Sequence, residues 1–169
     1  MHETASDLAR VQELLDVSYA SAGEHLLSIH TPERRLRADQ IAERLQGMCL
    51  LALGTVTADG RPIVGPVDGI FYRGDFYFGS ASASLRFRHI RQRPRVSAVH
   101  LPDEHLAVTV HGTAVEVDVR SPELAGFKQT LLDTYVPRYG PEWERFIESG
   151  VSYGRITADR MFAFAAPDS

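Results

Sequence analysis

The sequence is poor in the residues that build several common kinds of reactive site. Its only cysteine is Cys49, so an internal disulfide and a zinc cluster of thiolates are both excluded. Cys49 lies in the apolar run MCLLALG, which predicts a buried structural thiol. Lys128 is the only lysine, beside seventeen arginines. Its place on a predicted amphipathic helix argues against Schiff-base catalysis.

Charge and hydropathy do not point to nucleic acid or to a membrane. The formal net charge is −4, and no apolar run approaches the ~20 residues of a membrane-spanning helix. The stretch 86–95 carries five arginines around Phe87, but no second basic patch accompanies it. Residues 1–16 mix charges and lack the apolar core of a signal peptide. We therefore expect a cytoplasmic protein without nucleic-acid or membrane partners.

Several motifs of well-known chemistries are absent. The sequence has no G-x-G-x-x-G after a strand and no G-x-x-x-x-G-K-[ST] loop. Its seven histidines include no H-E-x-x-H, and His25 and His30 are spaced so that they do not share one helix face. We expect no metal site.

Helical spacing is typical of residues 1–47. Ser6 is the predicted cap of a first helix that ends at SAG, 21–23. Thr31 followed by Pro32 is a second start signal, and Gly47 ends that pattern.

From Met48 the apolar residues follow a strand pattern, with turn signals at Ala58-Asp59-Gly60 and Arg73-Gly74-Asp75. Five strands are predicted over 48–57, 62–72, 76–80, 95–101 and 106–119, and two short strand-like runs follow in 153–165. The total is about six strands. Helices are predicted over 82–93, after the Ser121-Pro122 start signal and over 141–149. Consecutive hairpins favour a barrel or a sandwich.

One anion site can be predicted from the residues themselves. Ser80, Ser82 and Ser84 precede or open the helix of 82–93, whose first N–H groups and dipole favour a bound anion. Arg86 and Arg88 add guanidinium groups, which match phosphate oxygens. The alternative is an ordinary solvated basic helix with a serine cap.

Residues 48–166 resemble the pyridoxamine 5′-phosphate oxidase-like family, the FMN-binding split barrels. The resemblance rests on G-R-P-x-x-x-P-V after the Asp-Gly turn and on S-x-R-x-R-x-I-R-x-R-P-R-V at 84–96. It continues in V-H-G-T-A-V-E-V at 110–117 and Y-G-R-I-T-A-D-R-M-F-A-F at 153–164. Arg86 stands where the family usually has lysine, and His89 where it usually has asparagine.

The resemblance implies a mainly β fold: a six-stranded antiparallel split β-barrel over 48–166 with a helical N-terminal extension over 1–47, together one domain. It further implies an obligate homodimer with a flavin between the subunits. We expect FMN as the cofactor. The deazaflavin F420 is the alternative, and its longer acidic tail has no evident second basic groove in this sequence.

The resemblance also implies roles for individual residues. Ser84, Arg86 and Arg88 would hold the cofactor phosphate, with Gly79 and Ser80 beside the ribityl chain. Three residues of the second strand would lie along the isoalloxazine ring: Val64, Pro66 and Val67. The alternative for these three is plain barrel core.

His111 would approach the ring from the partner subunit, or else it is structural. Three aromatic residues near the end of the chain would line the substrate end of the pocket or only fix the last helices: Tyr135, Tyr139 and Trp143.

The predicted activity is a flavin-dependent oxidation or reduction of a small molecule. No side chain stands out as a general acid or base, so no catalytic residue is named. A non-catalytic binder of flavin, haem or a tetrapyrrole is the alternative. True pyridoxine 5′-phosphate oxidases carry an Arg-x-His pair near the C-terminus, where this chain has Arg155-Ile156-Thr157 and ends at Ser169. We therefore expect that it does not oxidise pyridoxamine 5′-phosphate efficiently.

Overall fold

Six strands form the centre of the computed structural model, which describes residues 1–149 and 151–166. Their bounds are β1 Met48–Val56, β2 Pro62–Tyr72, β3 Asp75–Ala81, β4 Arg95–His100, β5 Leu106–Val117 and β6 Val151–Ala165. All pairings are antiparallel, and the strands close into a barrel in the order β1-β2-β3-β6-β5-β4. The predicted mainly β class and the six-stranded antiparallel barrel are confirmed.

The helices precede the barrel, cross its end or lie against its outer face. They are α1 Ala5–Ala20, α2 Glu24–Ile29, α3 Ala38–Arg44, α4 Leu85–Gln92, α5 Ala125–Tyr139 and α6 Trp143–Glu148, with a 3-10 turn at Pro122–Leu124. The cap of α1 is Thr4 and not the predicted Ser6. The Asp7 N–H donates to Thr4 Oγ1 over 3.2 Å, and the Thr4 N–H donates to the Asp7 carboxylate over 2.8 Å. This reciprocal pair is a capping box.

The prediction that a helix begins at Thr31-Pro32 is wrong, because the helix begins later in the chain. Residues 32–34 form a turn, and Arg35 makes an isolated β-bridge with Phe164. The Leu36 N–H donates to the Ala163 carbonyl over 3.1 Å. Pairing with the end of β6 therefore holds this segment extended, and helix begins only at Ala38.

The last strand also differs from its prediction, because the two short runs of 153–165 are one continuous strand. Its partner β5 shifts register between His111 and Gly112. A Cβ atom at Gly112 would overlap the Thr157 carbonyl oxygen and lie 2.8 Å from the Ala158 Cα. Glycine is therefore required for the close approach of the two backbones.

Two hydrophobic clusters fix this arrangement. The larger one fills the barrel and includes residues of α1 and α3, such as Val11 and Ile41. The smaller one lies between α5 and the outer face of β2, β3 and β6, with Phe127 at its centre. Cys49 is buried as predicted, and burial raises the pKa of its thiol to about 11. Among the described residues, no helix is long and apolar enough to cross a membrane.

Candidate functional site

The predicted serine cap opens α4. Ser84 has an extended backbone (φ −60°, ψ 151°), and its Oγ accepts a hydrogen bond from the Phe87 N–H over 3.3 Å. The helix then runs from Leu85 to Gln92. The local signal was sufficient here, because a serine cap starts the helix and Pro94 follows its end.

Arg86 joins three elements next to this helix start. Its Nη1 donates to Ser80 Oγ over 2.9 Å, at the end of β3, and its Nη2 donates to the Pro66 carbonyl over 3.1 Å, on β2. The side chain is half-buried, and burial lowers the pKa of Arg86. Gly65 lets the guanidinium lie close to β2, since a Cβ there would be 3.3 Å from Nη2. A guanidinium has five N–H donors, so Arg86 keeps donors available for an anion.

A cavity of about 210 Å³ lies beside this arginine. Val64, Ser84 and Arg86 all line it, together with Thr55 and His89. The Val64 side chain is 67% exposed, and Pro66 is exposed on the same outer face of β2. The Val67 side chain is buried in the barrel core, so only its backbone is available to a ring on the outer face.

The other basic residues of 86–95 have different surroundings. Arg91 makes a bidentate ion pair with Glu116, at 2.8 and 2.9 Å. Arg93 Nε donates to the Val56 carbonyl over 2.9 Å, and Arg95 pairs with Asp159 at 2.6 Å. Arg88 is exposed on α4 and takes no part in the hydrogen bonds of Arg86. Arg91, Arg93 and Arg95 are thus held by hydrogen bonds or ion pairs to other parts of the chain, which a simple solvated basic helix would not show.

His89, at the position of the family's usual asparagine, is buried. Its Nδ1 lies 2.9 Å from Thr55 Oγ1 on β1. This contact fastens α4 to β1 of the barrel.

His111 is remote from the arginine within one chain. Strand pairing places Val64, Gly54, Ser97 and His111 in one row across β2, β1, β4 and β5. Three strand spacings therefore separate Val64 from His111, roughly 14 Å. The ring is half-buried, and its Nδ1 lies 2.7 Å from Ser97 Oγ.

A second cavity, of about 230 Å³, lies between α5, α6 and the outer face of β2, β3 and β6. Gly79 and Ser80 are at its border, so it adjoins the Arg86 site. Its lining is Asp68, Ile70, Tyr77, Phe78, Gly79, Ser80, Ala81, Phe127, Leu131, Tyr135, Trp143, Phe146, Val151 and Tyr153. Tyr135 and Trp143 stack with ring centroids 4.3 Å apart and planes at 11°. Burial raises the pKa of Tyr153 to about 12.

The structure thus places two of the three predicted aromatic residues in this lining. Tyr139 stacks on Tyr135 at 6.1 Å and lines the outer mouth of the cavity. Asp68 was missed by the sequence analysis. The signal that would have found it is the period of two along β2, which puts Asp68 on the same outward face as Val64 and Pro66.

The C-terminal Arg155-Ile156-Thr157 stretch lies in β6. Arg155 is half-buried and is hydrogen-bonded to Tyr77. Burial raises the pKa of Tyr77, although the hydrogen bond and the charge of Arg155 act in the opposite direction. Its positive charge also acts on the Asp75 carboxyl, whose pKa is raised by burial. Thr157 is exposed. Among the described residues, no group of three or more His, Cys, Asp or Glu is placed to hold a metal ion.

Comparison with known proteins assigns the family. The family model for pyridoxamine 5′-phosphate oxidase matches residues 38–157. The chain belongs to the pyridoxamine 5′-phosphate oxidase family. The resemblance inferred from the sequence is thereby confirmed, and the family match includes Ser84, Arg86 and the second strand. A search of curated protein sequences gives no match.

Solved structures share the fold of this family member at low sequence identity. A conserved hypothetical protein from Mycobacterium tuberculosis has a TM-score of 0.66 at 20% identity, over 82% of this chain and 93% of its own. HutZ, the haem storage protein of Vibrio cholerae, has a TM-score of 0.61 at 20% identity, over 75% and 93%. An FAD-binding protein from Mesorhizobium loti has a TM-score of 0.58 at 20% identity, over 80% and 97%. These likenesses establish the shared architecture.

Proposed function

We propose that the protein is an FMN-dependent oxidoreductase that acts on a small molecule. The observation that carries the proposal is the position of Arg86, held between Ser80 and Pro66 beside the N-terminus of α4. A half-buried guanidinium with free donors, next to the N-terminal N–H groups of a helix, fits a phosphate dianion. The family match and the similarity to an FAD-binding protein support a flavin as the group that carries this phosphate.

The neighbouring residues fit the rest of such a cofactor. Val64 and Pro66 offer an exposed apolar strip on β2 for an aromatic ring, and Val67 offers only backbone groups. Gly79 and Ser80 line the aromatic cavity, and Ser80 also accepts the hydrogen bond from Arg86. FMN would supply the redox chemistry, while the chain binds the phosphate, orients the ring and keeps water from its face. The aromatic cavity would receive the substrate.

We further propose that two copies of the chain form the working unit. The outer face of β1, β2 and β4 exposes Leu50 (55%) and Val64 (67%) around small residues such as Ala52 and Ser97, and the exposed Leu101 (56%) directly follows β4. An exposed apolar face of this kind favours a protein partner. A second copy would cover it, and that copy's own His111 would lie near the strip at Val64. Light scattering should give twice 18.8 kDa. A monomer that binds FMN tightly would contradict the dimer.

The second candidate is a non-catalytic binder of haem or another tetrapyrrole. It is favoured by the fold shared with a haem storage protein, and no side chain stands out in the sequence as a general acid or base. Within flavin chemistry, F420 remains the alternative to FMN, because both present a phosphate to Arg86.

Reconstitution separates these candidates. The purified protein is incubated with FMN, F420 or haemin, freed of unbound ligand and examined by its absorbance spectrum. NADH, NADPH and reduced F420 are then offered as electron donors. A bound FMN that is reduced by one of them and reoxidised in turnover supports the proposal. Retention of haemin alone, or a bound flavin that none of the donors reduces, supports the binder. Fractionation of the producing cells tests the predicted cytoplasmic location.

A further inference from the structure

The cavity beside Arg86 has two buried polar side chains in its wall, Thr55 and His89. Their exposed fractions are 3% and 6%. Among the described residues that line this cavity, Arg86 is the one permanently charged side chain, and none is a carboxylate. An anion in the cavity would therefore meet a guanidinium and no competing negative charge.

The contact between Thr55 and His89 determines which ring nitrogen of the histidine is available. Thr55 Oγ1 lies 2.9 Å from His89 Nδ1, and this is the only hydrogen bond of either side chain in the described part of the chain. A buried hydroxyl proton needs an acceptor, and Nδ1 is the acceptor within reach. Because Nδ1 accepts from the Thr55 hydroxyl, the proton of the neutral imidazole is on Nε2. Nε2 is thus a donor left available by a buried side chain that lines the cavity.

Helix geometry brings this donor and Arg86 to the same face of α4. Residues three apart on a helix are neighbours, with Cβ atoms about 5–6 Å apart. Arg86 and His89 are three apart, and both line the cavity. The Ser84 cap lines it as well, at the N-terminus of the same helix. One anionic group between them can therefore contact the guanidinium and the imidazole together.

We infer that His89 is a further ligand of the cofactor phosphate, with its Nε2–H donating to a phosphate oxygen beside Arg86 and the Thr55 hydroxyl holding the imidazole in that orientation. The inference rests on the proposed function, because the phosphate is taken to be that of FMN. The family usually has asparagine at this position. Its shorter amide can keep a contact to Thr55 but has no group at the position of Nε2. The additional contact is accordingly a property of this chain.

The test uses two variants that separate the two ring nitrogens. His89→Asn keeps an amide beside Thr55 and removes the donor, whereas His89→Gln places an amide nitrogen near the position of Nε2. FMN and riboflavin affinities are measured by flavin fluorescence with each folded variant. We expect His89→Asn to weaken FMN binding about fivefold and to leave riboflavin binding unchanged. His89→Gln should keep most of the FMN affinity. His25→Asn, at an exposed position on α2, is the matched control and should change neither affinity.

Three results of these titrations would overturn the inference. The first is an unchanged FMN affinity in His89→Asn. The second is an equal loss of affinity for FMN and riboflavin, which indicates a purely structural role. The third is a loss of FMN affinity in His89→Gln as large as in His89→Asn.

Inorganic phosphate keeps the two proposals apart. It is added to the wild-type protein while the imidazole NMR signals are followed, with His89→Asn identifying the signal of His89. Phosphate should shift that signal, and the shift should be absent in Arg86→Ala. If FMN does not bind but phosphate shifts the signal, only the proposed function is overturned. If phosphate leaves the signal unchanged, this inference is overturned whether or not FMN binds.

Discussion

Replacing Arg86 with alanine removes the group on which the proposed phosphate site depends. In the structure its guanidinium holds two hydrogen bonds, to Ser80 Oγ and to the Pro66 carbonyl, and it has donors left for a ligand. A charge-assisted contact to phosphate contributes about 1.5–3 kcal/mol, so Arg86→Ala should weaken FMN binding about ten- to a hundredfold. Arg86→Lys keeps the charge but loses the bidentate fork, and we expect a loss of less than about tenfold.

The assay is a titration of flavin fluorescence with each purified variant, after circular dichroism has established that the variant is folded. Arg61→Ala is the matched control, because Arg61 is an exposed arginine at the β1–β2 turn that pairs only with Asp59 in the described structure. It should leave FMN affinity unchanged. Equal FMN affinities for wild type and folded Arg86→Ala would remove Arg86 from the site and refute the reasoning.

Three further predictions concern stability and substrate. Burial and the nearby charge of Arg35 lower the pKa of His30. Near and below pH ~6.5 the unfolded chain therefore binds more protons than the folded one. The free energy of unfolding should consequently fall as the pH decreases below ~6.5. Thermal unfolding at pH 7.5 and 5.5 should show this loss in wild type and much less of it in His30→Gln. Gly112→Ala should destabilise the fold by at least about 2 kcal/mol, because its Cβ would overlap the Thr157 carbonyl. In Gly23→Ala, the control, the added Cβ meets no atom within 4 Å, so this change should cost under about 1 kcal/mol. Urea titration of both variants measures the two losses. Finally, the FMN-loaded protein should form pyridoxal 5′-phosphate from pyridoxamine 5′-phosphate at well under about 1 s⁻¹. The reason is that the Thr157 hydroxyl replaces neither the charge nor the reach of an imidazole. An ordinary enzymatic rate would show that this interpretation is wrong.

The barrel could be predicted from the sequence because its signals are local. Alternating residues and the Asp59-Gly60 turn identify β1 and β2, and the Ser84 cap with Pro94 identifies α4 between β3 and β4. The Thr31-Pro32 signal is equally local, but there it is overruled. Backbone hydrogen bonds from 34–36 to the end of β6 join positions about 130 apart in the chain, and no local pattern reports them.

The candidate site divides in the same way. Ser80, Ser84 and Arg86 lie within seven residues of one another, so their convergence followed from the start of one helix. The bond from Arg86 to the Pro66 carbonyl joins positions 20 apart in the chain, and it required knowledge that the start of α4 lies beside β2. Asp68 was missed because its meaning depends on α5 and α6, which close the cavity over the outward face of β2.

A comparison of FMN with riboflavin tests the central claim most directly. The two ligands share the isoalloxazine ring and the ribityl chain and differ only in the phosphate. Since the site at Arg86, Ser80 and Ser84 is proposed to recognise that phosphate, wild-type protein should bind FMN at least tenfold more tightly than riboflavin in flavin-fluorescence titrations, and Arg86→Ala should remove most of the difference. Equal affinity of the wild type for both ligands, or no binding of FMN, would contradict the account.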